Sequence, residues 1–249
     1  MIFSRTFIFS IIPCIVGVFG VGFQPNYANA GNCNYSQQKP DSVDIIITKY
    51  IDAIGGKEKL EAIHTIYVEG SALVRGQKIF IKTWTINKKA SRTESTINGF
   101  TNWSITRTDS AWTFNPRRGQ KFPEPSPADR VKIAQPALDL EGSLVDYKKK
   151  GYLVEYKGID QIEGSDVYKI EVKLNDAITK TYYIDLDSYL IIRVRSRLTT
   201  SKVEYSNTDY SNYQKNADGY IFPMQLGSVK YSLIKVNPEI DNTLFIPKP

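Results

Sequence analysis

The chain has 249 residues, of which 41% are hydrophobic, 23% charged and 12% aromatic, and a net charge of +6. This is the composition of a globular protein, not of a disordered, collagenous or coiled-coil one. One His and two Cys argue against a His-based zinc site and a disulfide framework, which need more of these residues, and leave a Ser-His-Asp triad a single His to draw on.

Residues 1–30 carry a single charge, Arg5, then an uncharged apolar run from Phe7 to Phe23, then Ala28-Asn29-Ala30. Small residues at 28 and 30 after such a run predict a secretory signal cleaved after Ala30. The alternative is a membrane anchor, for which a run of about 17 residues is the lower limit. Cleavage removes Arg5 and Cys14, so the +6 of the full chain falls to +5. Cys33 is then the only thiol, and no internal disulfide can form. The expected location is the periplasm, with a lipid tether on Cys33 as the lesser alternative, since Asn32 stands where lipidation signals carry a small residue.

Residues 31–40 are polar and read as a flexible segment, and residues 41–249 as one domain. Asp41 is a candidate N-cap with Asp44 three residues on. Val43, Ile46, Ile47, Tyr50, Ile51 and Ile54 then fall on one helical stripe. Gly55-Gly56 ends the helix, and a short second one over Lys57–His64 presents Leu60 and Ile63.

From Thr65 the period becomes two. Ile66, Val68, Ala72 and Val74 alternate with Tyr67 and Glu69, and Phe80, Trp84 and Ile86 share a face of the next run. Trp103, Ile105 and Trp112 mark further strands. Alternation resumes at Tyr152, Val154 and Tyr156, then at Tyr168, Ile170, Val172 and Leu174, and is clearest at Leu190, Ile192 and Val194. About ten or eleven strands are expected, joined as an antiparallel meander curved around the N-terminal helix. Between them, Arg117–Gly142 holds Pro123, Pro125, Pro127 and Pro136, too many for a sheet interior. Ser126-Pro127-Ala128-Asp129 reads as a helix start with Pro127 at the first helical position, so a short helix to about Gln135 is expected there, and the excursion is either a binding lid or a loop that closes the sheet edge.

Few residues carry chemistry. Asp185 and Asp187 could pair as the acids of a glycosidase, but they flank a turn, where Asp is favoured on geometric grounds. Gly55-Gly56 ends a helix and lacks the Gly-Lys-Ser/Thr of a phosphate loop. Arg193, Arg195 and Arg197 form a one-face basic ladder, read as a solvated, edge-protecting surface in preference to an anion-binding stripe. No catalytic residue, cofactor or metal is expected, and nucleic acid is not expected as a partner of an exported protein. The aromatics either fill an ordinary core or leave an apolar cavity; period alone does not separate the two.

One resemblance bears on this choice. Tyr50-Ile-Asp-Ala-Ile-Gly-Gly-Lys-Glu-Lys-Leu-Glu-Ala-Ile63 resembles the N-terminal signature of LolA-like outer-membrane lipoprotein-sorting proteins, especially their Bacteroidota-type relatives. In the same order, Trp112-Thr-Phe-Asn115-Pro116 resembles the family's Trp-x-x-Asn-Pro strand end, and Leu140–Gly151 its mid-chain helix. Tyr182-Tyr-Ile-Asp185 with Ser188-Tyr-Leu190 resembles the central hairpin, and Tyr220–Pro223 and Asn237–Phe245 the last segments. The resemblance implies an incompletely closed β half-barrel of about eleven strands, with helices covering an apolar cavity that shields lipoprotein acyl chains. It implies a monomeric carrier of an acyl chain, lipid or lipoprotein, with envelope membrane proteins as further partners. The alternative is a stress-sensing or interaction protein on the same scaffold that carries no ligand. Residues expected to line the cavity are Ile47, Tyr50 and Ile54 from the helix, Phe80, Trp84, Ile86 and Trp112 from the first strands, and Leu190, Ile192 and Val194 from a later one. One departure stands out: where the carriers have Lys-Arg-Pro after the second strand, with the Arg holding the lid, this chain reads Lys88-Lys89-Ala90, with Arg92 two residues on.

Overall fold

The computed structural model describes residues 42–199 and 205–248. The signal segment, Cys14, Cys33 and Asp41 lie outside them. Helix α1, Val43–Ala53, starts at Ser42, with no side-chain cap bond. It turns sharply at Gly55 and Gly56, whose φ of 126° and 93° suit only glycine. Helix α2, Lys57–Glu61, follows.

The strands then run β1 (Thr65–Val74), β2 (Gln77–Ile86), β3 (Ala90–Ile97), β4 (Phe100–Arg107), β5 (Ala111–Phe114) and the two-residue β6 (Glu124–Pro125). Helix α3 (Ala128–Ala134) runs into a 3₁₀ turn, Gln135–Leu138. The second set is β7 (Leu153–Ile162), β8 (Ser165–Lys173), β9 (Ile178–Asp185), β10 (Ile191–Leu198), β11 (Ser206–Lys215), β12 (Ile221–Leu226) and β13 (Val229–Val236). A 3₁₀ turn, Asn242–Phe245, lies near the C-terminus.

All thirteen strands form one antiparallel sheet in the order β6-β5-β4-β3-β2-β1-β13-β12-β11-β10-β9-β8-β7. It is mainly β and not closed into a barrel, since β6 and β7 are its two edges. Every pair of neighbours but one is consecutive in the chain; β1–β13 pairs the beginning of the strand run with its end. The stretch from Ser126 to Tyr152 therefore runs from one edge to the other. The count exceeds the expected eleven partly because β6 lies among prolines, where no alternation announces it.

Cross-strand pairs point to the same side of a sheet. Ile66 packs with the α1 core and pairs with Thr85, whereas Tyr67 pairs with Trp84. The face covered by α1, called inner here, thus carries Ile66 and Thr85, and the outer face carries Trp84. On the inner face the two halves differ. From β7 to β10 it is apolar: Ile170, Val172, Tyr182, Ile184, Ile191 and Val194 are buried against Ile46, Ile47, Ile51 and Ile54 of α1. From β2 to β4 it carries a row of hydroxyls, with Thr85, Ser91, Thr93 and Thr106 buried and Thr83–Thr93 and Thr85–Ser91 hydroxyl pairs at 3.1 and 2.9 Å, and further along β2 a small apolar cluster of Ile81 with Ala72 and Val229.

The outer face of β2–β5 is the apolar one. Trp103 and Ile105 are buried there with Phe245, and Trp84, Ile86, Trp112, Phe114, Ile240 and Leu244 pack around them. The segment after β13 thus folds back over the outer side of the sheet.

Candidate functional site

The site expected from the sequence divides. Ile47 and Ile54 are buried in the α1 core, and Tyr50 packs against it. Burial, with Tyr213 and Tyr182 nearby, pushes the Tyr50 phenol far above its ordinary value, so it stays a neutral, apolar-side group. Leu190 packs at the edge of this core and Val194 is buried in it. Ile192 is a correction. The β9–β10 register shifts between Ile191 and Arg193, and the extra residue of this bulge gives the inward place to Ile191, 4% exposed.

Phe80, Trp84, Ile86 and Trp112 are also corrections. Period-two spacing rightly put the first three on one face, but it is the outer face, away from α1. Phe80 is 53% exposed, and the others pack under the C-terminal segment. Arg92 serves that packing too: its guanidinium lies 4.6 Å from the Trp103 ring centre, donates to Leu244 O at 3.1 Å and bonds Glu94 at 2.8 Å. On the outer face it cannot hold an inner lid.

What spans the inner opening is the segment between the edge strands. Leu140–Gly151, expected as a helix, is instead a succession of turns, with Asp146 at φ 48°. Side chains and the β2–β3 turn hold it down. Lys88 N donates to Leu138 O at 2.8 Å, Leu140 N donates to Asn87 Oδ1 at 3.1 Å, and Lys88 Nζ bonds Glu141 at 2.6 Å. Lys150 Nζ bonds Asp139 Oδ2 at 2.6 Å and Glu141 Oε2 at 3.3 Å. Burial pushes the Glu141 carboxyl upward, but Lys88 and Lys150 more than offset it and hold it below its ordinary value. Further along, bonds from Lys57 and Lys149 pull Asp146 down to about 2. So Lys88, though it lacks the Arg fork, makes a clasp to the crossing segment.

Helix α1 is held at both ends. At its start, Asp44 accepts from Tyr147 Oη at 2.7 Å and Lys148 Nζ at 2.9 Å, both on the crossing segment. At its end, Ile221 N donates to Ile54 O at 3.2 Å.

The remaining candidates resolve as structural. Asp185 Oδ1 accepts from the Ser188 amide and hydroxyl, closing the turn. Arg193 pairs with Asp209 and Glu163, and Arg195 stacks on Tyr183 and Tyr205, so these two are an engaged surface. Exposed His64 contributes a backbone bond to Asn237. Among the described residues no group of His, Cys, Asp and Glu is placed to hold a metal ion, and no helix is long and apolar enough to cross a membrane.

With this geometry in hand, the class of fold can be stated. No protein-family profile matches the chain, and no curated protein matches it. Solved structures do. A DUF1329 family protein from Desulfovibrio piger superposes with a TM-score of 0.54 at 14% identity, covering 83% of this chain and 98% of that one. A LolA superfamily protein from Nitrosomonas europaea superposes with a TM-score of 0.50 at 10% identity, covering 80% and 96%. The fold is LolA-like.

Proposed function

We propose that this is a periplasmic lipid- or acyl-chain-binding protein, related to lipoprotein carriage or sorting, and not an enzyme. The observation that carries the reading is α1. Its isoleucines lie over an aliphatic and aromatic sheet face spanning β7 to β10, and its first turn is fastened by side-chain bonds at exposed positions. A helix so seated can lift and leave an apolar trough for an acyl chain, whose every buried CH₂ is worth about 0.8 kcal/mol. The LolA-like fold supports the reading, because the sorting proteins that the sequence resembles shield acyl chains on this scaffold. The apolar segment ahead of Ala30 supports export, and the sparse chemical inventory supports a binding role.

A second reading has an observation of its own. Ile46, Ile47, Ile51 and Ile54 are at most 9% exposed, so the trough is filled by the chain's own side chains. That favours an envelope interaction or sensing protein that carries no ligand. Native mass spectrometry of the exported protein, with and without an added lipopeptide, decides between them. A stoichiometric acylated adduct is expected. Its absence from both samples, with no displacement of a fluorescent fatty acid, would leave the second reading.

A further inference from the structure

The hairpin of β1 and β2 reaches past its neighbours. Its own pairing runs on to Val74–Gln77, whereas the last pair with β13 is Ala72–Val229 and the last with β3 is Phe80–Thr96. Arg75 and Gly76 close it as a two-residue turn with φ of 49° and 76°, both positive, the form whose twist matches that of the strands. On the outer face of this end, Leu73 pairs with Lys78 and Ser71 with Phe80. Leu73 is 68% exposed and Phe80 53%, so the C-terminal segment that shelters Trp84 nearer the base leaves both in water. Lys78 Nζ lies over the Phe80 ring, 5.0 Å from its centre.

Three cations stand at this end: Arg75 in the turn, Lys78 opposite Leu73, and Lys230, which faces Ser71 from β13. All three are exposed. The residues paired with Lys78 and Lys230 are Leu73, Ser71 and Gln225, so no acid stands opposite them. The first acids on the face, Glu69 and Glu94, flank Lys82 one row nearer the base, where Tyr67 and Arg92 bond them. The end is therefore an apolar knob in a positive collar. An apolar ligand finds no recess on a projecting turn, and a protein partner would need a pocket shaped to two side chains. A bilayer takes them without one. Apolar side chains enter the boundary between headgroups and acyl chains, lysine and arginine stems lie along it with their charges outward, and anionic headgroups attract each cation. We propose that this hairpin end docks the protein on a bilayer surface that bears anionic phospholipid, with Leu73 and Phe80 inserted and Arg75, Lys78 and Lys230 among the phosphates. The docking calls for no acyl ligand and stands apart from the trough under α1.

Co-sedimentation with vesicles tests it, one set of phosphatidylcholine alone and one with about a third phosphatidylglycerol. Every sample carries Cys33→Ser, so that no lipid tether contributes. Binding to the anionic set about tenfold tighter or more is expected, weakening as salt is raised. An attracted Lys or Arg is worth about fivefold in partition, so Arg75→Gln with Lys78→Gln should lose about tenfold or more. Lys89→Gln with Lys215→Gln, an equal loss of charge at exposed positions in the β2–β3 turn and at the end of β11, should lose far less. Leu73→Ser with Phe80→Ser should also release the anionic vesicles, and a polarity-sensitive dye on Leu73→Cys should shift to the blue on binding. These positions are exposed, so urea midpoints should not move; if the double variant unfolds, Leu73→Ser alone and the dye replace it. Equal affinity for both vesicle sets, or equal losses from the two charge pairs, overturns the proposal. So does binding that survives loss of Leu73 and Phe80 with no dye shift, which would leave a charge-only surface fit for an acidic protein.

Discussion

Glu141 and Lys88 share one 2.6 Å contact, yet their side chains differ in exposure, 9% against 58%, and this makes their removal unequal. Lys88 is largely in water, where its half of the pair is screened. Glu141 is enclosed and also partners Lys150, which is itself mostly buried. Glu141→Gln should cost about 1–3 kcal/mol, as loss of charge-assisted bonds to a buried group does, and Lys88→Ala less than about 1 kcal/mol. Urea unfolding of the two variants checks the order; equal losses would contradict it. The pH dependence follows the same residue. Because Glu141 is held below its ordinary value, its stabilisation is complete above the unfolded pKa of about 4.3 and is lost as pH falls through its lower folded pKa. Asp139, held above its ordinary value, has the opposite sign: its ionisation costs stability, and acidification through its folded pKa relieves that cost. Unfolding free energy measured from pH 6 to pH 3 should therefore fall less steeply in Glu141→Gln than in the unaltered protein. None of this was visible in the sequence, where Asp139 and Glu141 are two acids in a proline-rich connection; their meaning comes from Lys150 and the β2–β3 turn arriving beside them.

The C-terminal segment explains most of what the strands concealed. Truncating Phe245, 3% exposed beneath the outer face, to Ala should cost about 3–5 kcal/mol, seen as a lower urea midpoint and a shift in Trp emission. Trp84, which tilts against Tyr67 at 5.2 Å, belongs to this packing. Trp84→Glu should accordingly lower stability without changing affinity for an acyl ligand, in contrast to its expected place in a cavity; a selective loss of binding would restore that expectation. The reason for the misplacement is physical. Period two reveals that Phe80, Trp84 and Ile86 share a face, but a face is inner or outer only relative to what covers it, and the cover is a segment more than 150 residues away in the chain. The same limit explains β10. Leu190, Ile192 and Val194 alternate faultlessly, and one bulge residue moves Ile191 inward. Where the cover is local the pattern sufficed: the stripe of Ile47, Ile51 and Ile54 faces the sheet, and Gly55-Gly56 ends α1. The inner hydroxyl row, Thr85, Ser91, Thr93 and Thr106, was unreadable for the converse reason, since alternating Thr and Ser look like a solvent face.

At the scale of the molecule, the open sheet has two edges and one strap that runs between them, and α1 is fastened to that strap at Asp44 and to the sheet at Ile54. Apolar contacts hold the helix along its length, but its starting end rests on bonds from Tyr147 and Lys148 at exposed positions, the weaker kind in water. Motion should therefore begin there, with the tether at Ile221 acting as the pivot. If an acyl chain occupies the trough, α1 has to leave it, and a clamp across the gap has to block binding. Lys49 and Tyr189 offer the place, since Lys49 Nζ lies 2.9 Å from the Tyr189 hydroxyl, between α1 and the β9–β10 turn. Cys placed at both positions, with Cys14 and Cys33 exchanged for Ser, can be joined by a bifunctional, reducible thiol reagent. Affinity for a palmitoylated peptide, read by displacement of a fluorescent fatty acid, is expected to fall at least about tenfold on joining, the effect of withholding a binding-competent state, and to recover on reduction. Unchanged affinity in the joined protein would mean that the chain binds elsewhere and that α1 is a permanent part of the core.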